Sequence, residues 1–182
     1  MTDTIKSTPE ESPSTCELET QTLVESLAEE ACLSLFDAYG VSLERIESTD
    51  ALSPAQSLTG VIGFTGVGIT GMCLVAASEE PLLASIPVVG SLRDWVAELS
   101  NQLAGRLKHK LLAKGLEVYV TTPVVLRALR IEPMPRRKLQ PRSFRARGGT
   151  VALWVEVEIG PQFRLSPSEI ELPASEGDTL LF

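Results

Sequence analysis

Metal-binding and redox side chains are scarce in this chain, which holds one histidine, His109, and three cysteines, Cys16, Cys32 and Cys73, with no CxxC pair. An odd, widely spaced set of cysteines argues against a disulfide framework and a zinc site, and fits a reducing cytoplasm. The lone histidine and the scattered acids show no ligand spacing, so the chain is expected to carry no metal or cofactor of its own. No apolar run approaches the ~18 residues that a membrane span needs. The N-terminus is acidic and hydroxyl-rich, without the basic and then apolar regions of a secretory signal, so membrane contact is not expected. A GxxxxGK[ST] run is absent, which excludes a P-loop. No Ser or Cys nucleophile with an orienting acid can be picked out beside His109, so that residue reads as a surface histidine.

What the chain does have is enough apolar residue for one core, with 43% hydrophobic content over 182 residues. Residues 1–17 are rich in Ser, Thr, Pro and Glu and read as a disordered acidic leader. Residues 18–160 form the expected globular domain, and residues 161–182, with Pro167 and Pro173, a weakly packed C-terminal tail. Within the domain, residues 20–39 have the periodicity of an amphipathic helix, with Leu23, Leu27, Ala31, Leu35 and Phe36 inward and Gly40 closing it. Strands are expected at 41–47, 58–64, 69–77, 116–126 and 150–159, a short helix between Pro81 and Pro87, and an irregular basic stretch before the last strand.

The charge is unevenly placed. Residues 1–50 hold 12 acids against Lys6 and Arg45, whereas residues 91–150 hold 13 bases against four acids. A basic surface of that kind speeds encounter with an acidic partner, protein or nucleic acid.

The most informative segment is the helix expected over 91–114. Ser91 followed by Asp94 has the capping-box pattern, and Gly115 stands where a left-handed residue ends a helix. On a helical wheel Leu92, Val96, Leu99, Leu103 and Leu107 fall within an arc of about 80° and face a core. Asp94, Glu98, Asn101, Gly105 and Lys108 fall in a second arc of about the same width on the opposite side. The small residues Ala97, Ser100, Ala104 and Gly105 flank or join that polar stripe, so another surface could come close to the backbone there. A capping acid needs no further function, which is the plain alternative for Asp94, and a solvated helix face is the plain alternative for Glu98 and Asn101.

The run Asp94-x-x-x-Glu98-x-x-Asn101-x-x-x-Gly105, followed by Pro123 in an extended segment, resembles the signature of the CheC/CheX/FliY family of chemotaxis phosphatases, CheX in particular. Residues 60–66, Gly60-Val61-Ile62-Gly63-Phe64-Thr65-Gly66, are similar to the strand and turn that precede the signature helix in that family. Two departures lie after the helix: the interval from Asn101 to Pro123 differs slightly, and Leu126-Arg127 stand where the family has a glycine. The resemblance implies an α/β fold of the α+β type, a mainly antiparallel sheet with two long helices on one face, and a homodimer whose sheet continues across the interface. It further implies hydrolysis of the aspartyl phosphate of a phosphorylated CheY-like response-regulator receiver domain, in chemotaxis or related two-component signalling. In that mechanism the residue matching Asn101 orients the attacking water and the residue matching Glu98 pairs with a basic residue of the receiver. Asp94, Gly105 and Lys108 would contact the partner, and the Mg2+ ion would be held by the receiver. The competing expectation is a non-catalytic dimeric adaptor that docks a receiver domain or another signalling protein through the same helix face.

Two other motifs have plainer readings. Gly66-Val67-Gly68-Ile69-Thr70-Gly71 matches GxGxxG, but residues 72–76 read as a buried strand where a dinucleotide fold requires a helix. Arg136, Arg137, Lys138, Arg142, Arg145 and Arg147 surround Phe144, a pattern RNA binding could use. One aromatic without a known nucleic-acid motif does not displace a solvated hairpin loop, so nucleic acid is disfavoured as a partner.

Overall fold

The computed structural model describes residues 15–47, 57–87, 90–128, 140–160 and 162–163. Helix α1 (Thr15–Ala38) buries Thr20, Gln21, Val24, Leu27, Ala28, Ala31, Cys32, Leu35 and Phe36, the recurrence of an amphipathic helix. It stops at Gly40, whose φ of +73° allows the Val41 N–H to return to the Phe36 carbonyl at 3.0 Å. The helix begins earlier than expected: residues 15–17, assigned to the leader, are helical because Thr20 and Gln21 bury and anchor the turn before them. The rest of the leader, residues 1–14, lies outside the described residues.

Among the described residues seven strands follow: β1 (Glu44–Ile46), β2 (Ser57–Gly66), β3 (Ile69–Ser78), β4 (Val118–Val120), β5 (Val124–Ala128), β6 (Arg142–Ala146) and β7 (Gly149–Ile159). They form one sheet in the order β1-β6-β7-β3-β2-β4, with β5 also on β2, and every pairing is antiparallel. Helix α2 (Glu79–Ser85) supplies the short helix expected there, and α3 (Leu92–Leu112) is the polar-striped helix. The expected α+β architecture is therefore present, with α1 packed on β7 and α3 on β2 from the same side.

Alternation along the strands sorts the core. Leu58, Ile62 and Phe64 of β2, Cys73, Val75 and Ala77 of β3, and Val151, Leu153, Val155 and Val157 of β7 join the helices in the main core. Leu74, Ala76, Ala152 and Trp154 form a smaller buried cluster on the opposite face. β7 outruns β6 at Leu153, leaving its edge unpaired by a strand among the described residues. Gln21 covers that edge, its Nε2 donating to the Val155 carbonyl at 2.7 Å and its Oε1 accepting from the Val157 N–H at 2.9 Å.

Four sequence expectations change. The strand expected over 41–47 shrinks to β1, because Val41 turns inward as the residue that closes α1. The strand expected over 116–126 is two strands broken at Thr121–Pro123. Proline cannot donate to a ladder, and Thr121 turns to Gly63: its N–H reaches the Gly63 carbonyl and its Oγ1 accepts the Gly63 N–H, both at 2.9 Å. Part of the basic irregular stretch is strand β6, with Phe144 fully buried (0% exposed). Ser91 occupies the N-cap of α3, but its exposed side chain makes no capping hydrogen bond, so the Asp94 charge is what favours that helix end.

The GxGxxG run is a hairpin. Gly66 ends β2, Val67 and Gly68 (φ +68°) make the two-residue turn, and Gly71 lies in β3 under the Phe64 ring. Gly160 and Phe163 close over this turn, the Gly160 N–H on the Gly68 carbonyl at 2.9 Å and the Phe163 side chain buried. The expected weakly packed tail beyond Phe163 lies outside the described residues.

Candidate functional site

Helix α3 sits close to the sheet at one point. A side chain at Gly60 of β2 would collide with the Ser100 hydroxyl and approach Val96, so the missing Cβ sets how deeply α3 seats. Ser100 is 1% exposed and donates to the Val96 carbonyl at 2.7 Å, and Ala104 is 2% exposed. Both were expected beside the outward stripe. They are buried instead, and Ser100 faces Gly60 of β2, whose missing side chain leaves room for it. Trp95, absent from the expected inward arc, is buried with its indole N–H donating to Ser85 Oγ at 2.9 Å.

The opposite stripe faces outward over its first two turns. Asp94, Glu98 and Asn101 are exposed, and Gly105 and Lys108 are half-buried. Asn101 lies one turn beyond Glu98, and its amide makes no hydrogen bond among the described residues. Apart from the backbone of its own helix turn, a Cβ at Gly105 would meet no heavy atom of the described residues within 4 Å, so packing among them does not require glycine there. Lys108 leans over the Tyr119 ring of β4, with Nζ 5.8 Å from its centroid. That contact draws Lys108 toward the sheet edge at the far end of the stripe.

Two residues that the sequence reading did not include join this site. Gln102 Nε2 donates to Glu98 Oε1 at 2.8 Å, and the Tyr39 hydroxyl donates to Gln102 Oε1 at 2.8 Å. The i, i+4 spacing of Glu98 and Gln102 was a readable signal for the first contact. Tyr39 is 63 positions away and has none.

The charge asymmetry is partly consumed within the fold. Acids of α1 pair with the basic segments: Glu30 with Lys110 at 2.8 Å, Glu25 with Arg142 at 3.1 Å, and Glu29 with Arg45 at 3.1 Å and Arg142 at 3.3 Å. Such partly exposed pairs contribute little stability, but they remove cations from the free surface. The basic cluster set out for RNA is thereby divided, with Arg142 ion-paired and Phe144 in the core. Arg145 and Arg147 line a separate open groove of about 610 Å3 with Glu44. Arg136, Arg137 and Lys138 lie outside the described residues.

Among the described residues no group of three or more His, Cys, Asp or Glu side chains could hold a metal ion. No helix among them is long and apolar enough to cross a membrane.

No protein-family model matches the sequence, and no curated protein matches it. Solved structures do match the fold. Chemotaxis protein CheX from Vibrio vulnificus superposes with a TM-score of 0.64 at 16% identity, covering 74% of this chain and 96% of that one. A CheC-like superfamily protein from Shewanella sp. PV-4 gives a TM-score of 0.62 at 19% identity, covering 74% and 97%. The fold is that of the CheC/CheX/FliY family. A third CheX-like structure is the complex of CheX with CheY, BeF3 and Mg2+ from Borrelia burgdorferi, with a TM-score of 0.50, 14% identity, and 74% and 97% coverage. Each of these structures matches about three-quarters of the chain and is covered nearly end to end by it.

Proposed function

We propose that this chain is a CheX-like phosphatase that hydrolyses the aspartyl phosphate of a CheY-like receiver domain, acting in the cytoplasm in chemotaxis or related two-component signalling. The observation that carries this reading is the exposed Glu98 and Asn101 pair, one turn apart on α3, with the Asn101 amide making no hydrogen bond among the described residues and the surface beyond it left open at Gly105. The Borrelia burgdorferi complex, in which a protein of this fold is bound to CheY, supports the partner class.

Hydrolysis needs a water in line with phosphorus, attack at phosphorus, and departure of the receiver's aspartate as carboxylate, leaving inorganic phosphate. An acyl phosphate has a good leaving group, and the receiver holds its own Mg2+ in this reading, so the partner's task is positioning. An amide suits it. The Asn101 side chain accepts a hydrogen bond from water through its carbonyl oxygen and donates through its NH2 without placing negative charge beside the phosphoryl oxygens. A carboxylate at that position repels them. Glu98 pairs with a basic residue at the receiver site and fixes the docked orientation, with Asp94, Gly105 and Lys108 around it. Positional error of ~1 Å costs about 100-fold, so the close seating of α3 on Gly60 belongs to the mechanism. The assembly proposed is a homodimer, which sedimentation equilibrium tests.

The deciding experiment follows the decay of a phosphorylated receiver with the wild-type protein and with Asn101→Ala, Asn101→Asp and Glu98→Ala. Wild type should accelerate decay, and Asn101→Ala and Asn101→Asp should each lose about 100-fold or more in kcat, with Asn101→Ala still binding the receiver. Binding without acceleration by wild type makes the protein an adaptor, and wild-type turnover by Asn101→Asp removes Asn101 from the mechanism.

A further inference from the structure

An exposed glutamate samples many rotamers, and ordering it is a cost charged to docking. Glu98 is not free in this way. One of its oxygens, Oε1, accepts from Gln102 Nε2 at 2.8 Å. An amide has a donor end and an acceptor end: the carboxylate, an acceptor only, takes the donor end, and the acceptor end is held by a second contact, from the Tyr39 hydroxyl to its Oε1 at 2.8 Å. Turning the amide over would set its oxygen against the Glu98 carboxylate.

Tyr39 is itself held on two sides. It belongs to the turn that closes α1, with its N–H on the Phe36 carbonyl at 3.0 Å. Its ring meets Trp95 edge-on, with centroids 4.9 Å apart and planes at 89°. The Trp95 indole N–H is anchored on Ser85 Oγ at 2.9 Å, and that hydroxyl donates to the Leu82 carbonyl, also at 2.9 Å. A line of contacts therefore runs from α2 through Trp95 and Tyr39 to Gln102, and ends on one oxygen of Glu98.

We infer that Tyr39 and Gln102 are positioning residues that hold the Glu98 carboxylate oriented for a basic side chain of the docked receiver, leaving its second oxygen for that contact. The inference rests on the receiver reading above. An ordinary pair on an exposed helix face has no third member 63 residues away; the part-buried Tyr39 contact is what separates this arrangement from that one.

Two substitutions remove the chain with little else. Tyr39→Phe keeps the ring against Trp95 and loses only the hydroxyl; Gln102→Met keeps the length and loses the amide. Each should raise KM for the phosphorylated receiver, and Kd for the receiver loaded with BeF3 and Mg2+, by about three- to tenfold, with kcat within about twofold of wild type. In a Glu98→Ala background Tyr39→Phe should not change Kd further, since its effect passes through Glu98. Unchanged KM and Kd in both single variants overturn the inference, as does a Tyr39→Phe effect of equal size with and without Glu98. Should wild type fail to accelerate decay and Glu98→Ala leave receiver affinity unaltered, the receiver reading itself falls and takes this inference with it.

Discussion

Gly105 is a position where stability and function should respond in opposite directions. It lies inside α3, where glycine costs roughly 0.5–1 kcal/mol relative to alanine because the unfolded chain gives up more freedom. Nothing among the described residues offsets that cost, since a Cβ there would meet none of their heavy atoms within 4 Å beyond its own helix backbone. Gly105→Ala should therefore stabilise the free protein by about 0.5–1 kcal/mol and raise Tm by about 1–4 °C. The added methyl tilts toward the N-terminal end of the helix, over the turn that begins at Asn101. If a receiver surface packs there, the methyl overfills the contact at about 1–3 kcal/mol, roughly five- to hundredfold in kcat/KM. Thermal melts, receiver decay and receiver titration on the same two proteins measure all three quantities. Lower stability in Gly105→Ala would show that the helix surface is not open at this point. Higher stability with wild-type kcat/KM would show that no partner approaches here, and would remove Gly105 from the proposed interface.

Other substitutions probe how the site is held. Gly60→Ala drives a methyl into the Ser100 hydroxyl, so it should cost about 1–3 kcal/mol in urea unfolding and also lower kcat by shifting α3. The same loss of stability with unaltered kcat would mean that α3 seating does not govern catalysis. Gln21→Leu strips the Val155 carbonyl and the Val157 N–H of their partner on the free edge of β7, and should destabilise by about 2–4 kcal/mol; a loss below about 0.5 kcal/mol would refute that role. Burial pushes the Cys73 thiol up to about 12 from 9.0, and Cys32 is raised further by burial and by the nearby Cys73 and Glu29. Between pH 9 and about 12 the unfolded chain loses these protons while the fold retains them, so stability should fall as pH rises, by about 1.4 kcal/mol per thiol per unit. A Cys32→Ala, Cys73→Ala double variant should flatten that slope, and an unchanged slope would assign it to other groups.

The sequence was most readable where one element's own periodicity decides the outcome. The polar and apolar arcs of α3 could be drawn from spacing because both faces repeat at 3.6 residues, and Gly115 marked its end through a φ of +77°. The β2 and β3 hairpin was readable for a similar reason, two apolar runs around a glycine turn. Failures occurred where a residue's place depends on what faces it. Ser100 looks like a surface residue on a wheel until Gly60 is placed opposite it. Trp95 is inward because Ser85 can take its indole N–H, and Arg142 leaves the basic cluster because Glu25 and Glu29 lie across from it. The run 116–126 looks continuous because β-branched residues fill it, while Thr121 and Pro123 break the ladder through hydrogen bonding that composition does not express.

The same distinction separates the two levels of the candidate site. The identities and spacing of Glu98 and Asn101 are properties of one helix, and a sequence can state them in full. Their constraint is different in kind: Gly60 fixes the depth of the helix, and Tyr39 and Gln102 hold one carboxylate oxygen. A relative that keeps Glu98 and Asn101 but lacks a hydroxyl at Tyr39, or an amide at Gln102, should therefore retain the chemical step and dock its receiver more weakly. The motif alone would assign the two proteins the same activity, whereas receiver affinities measured side by side would separate them. Equal affinities would show that Glu98 needs no support from α1.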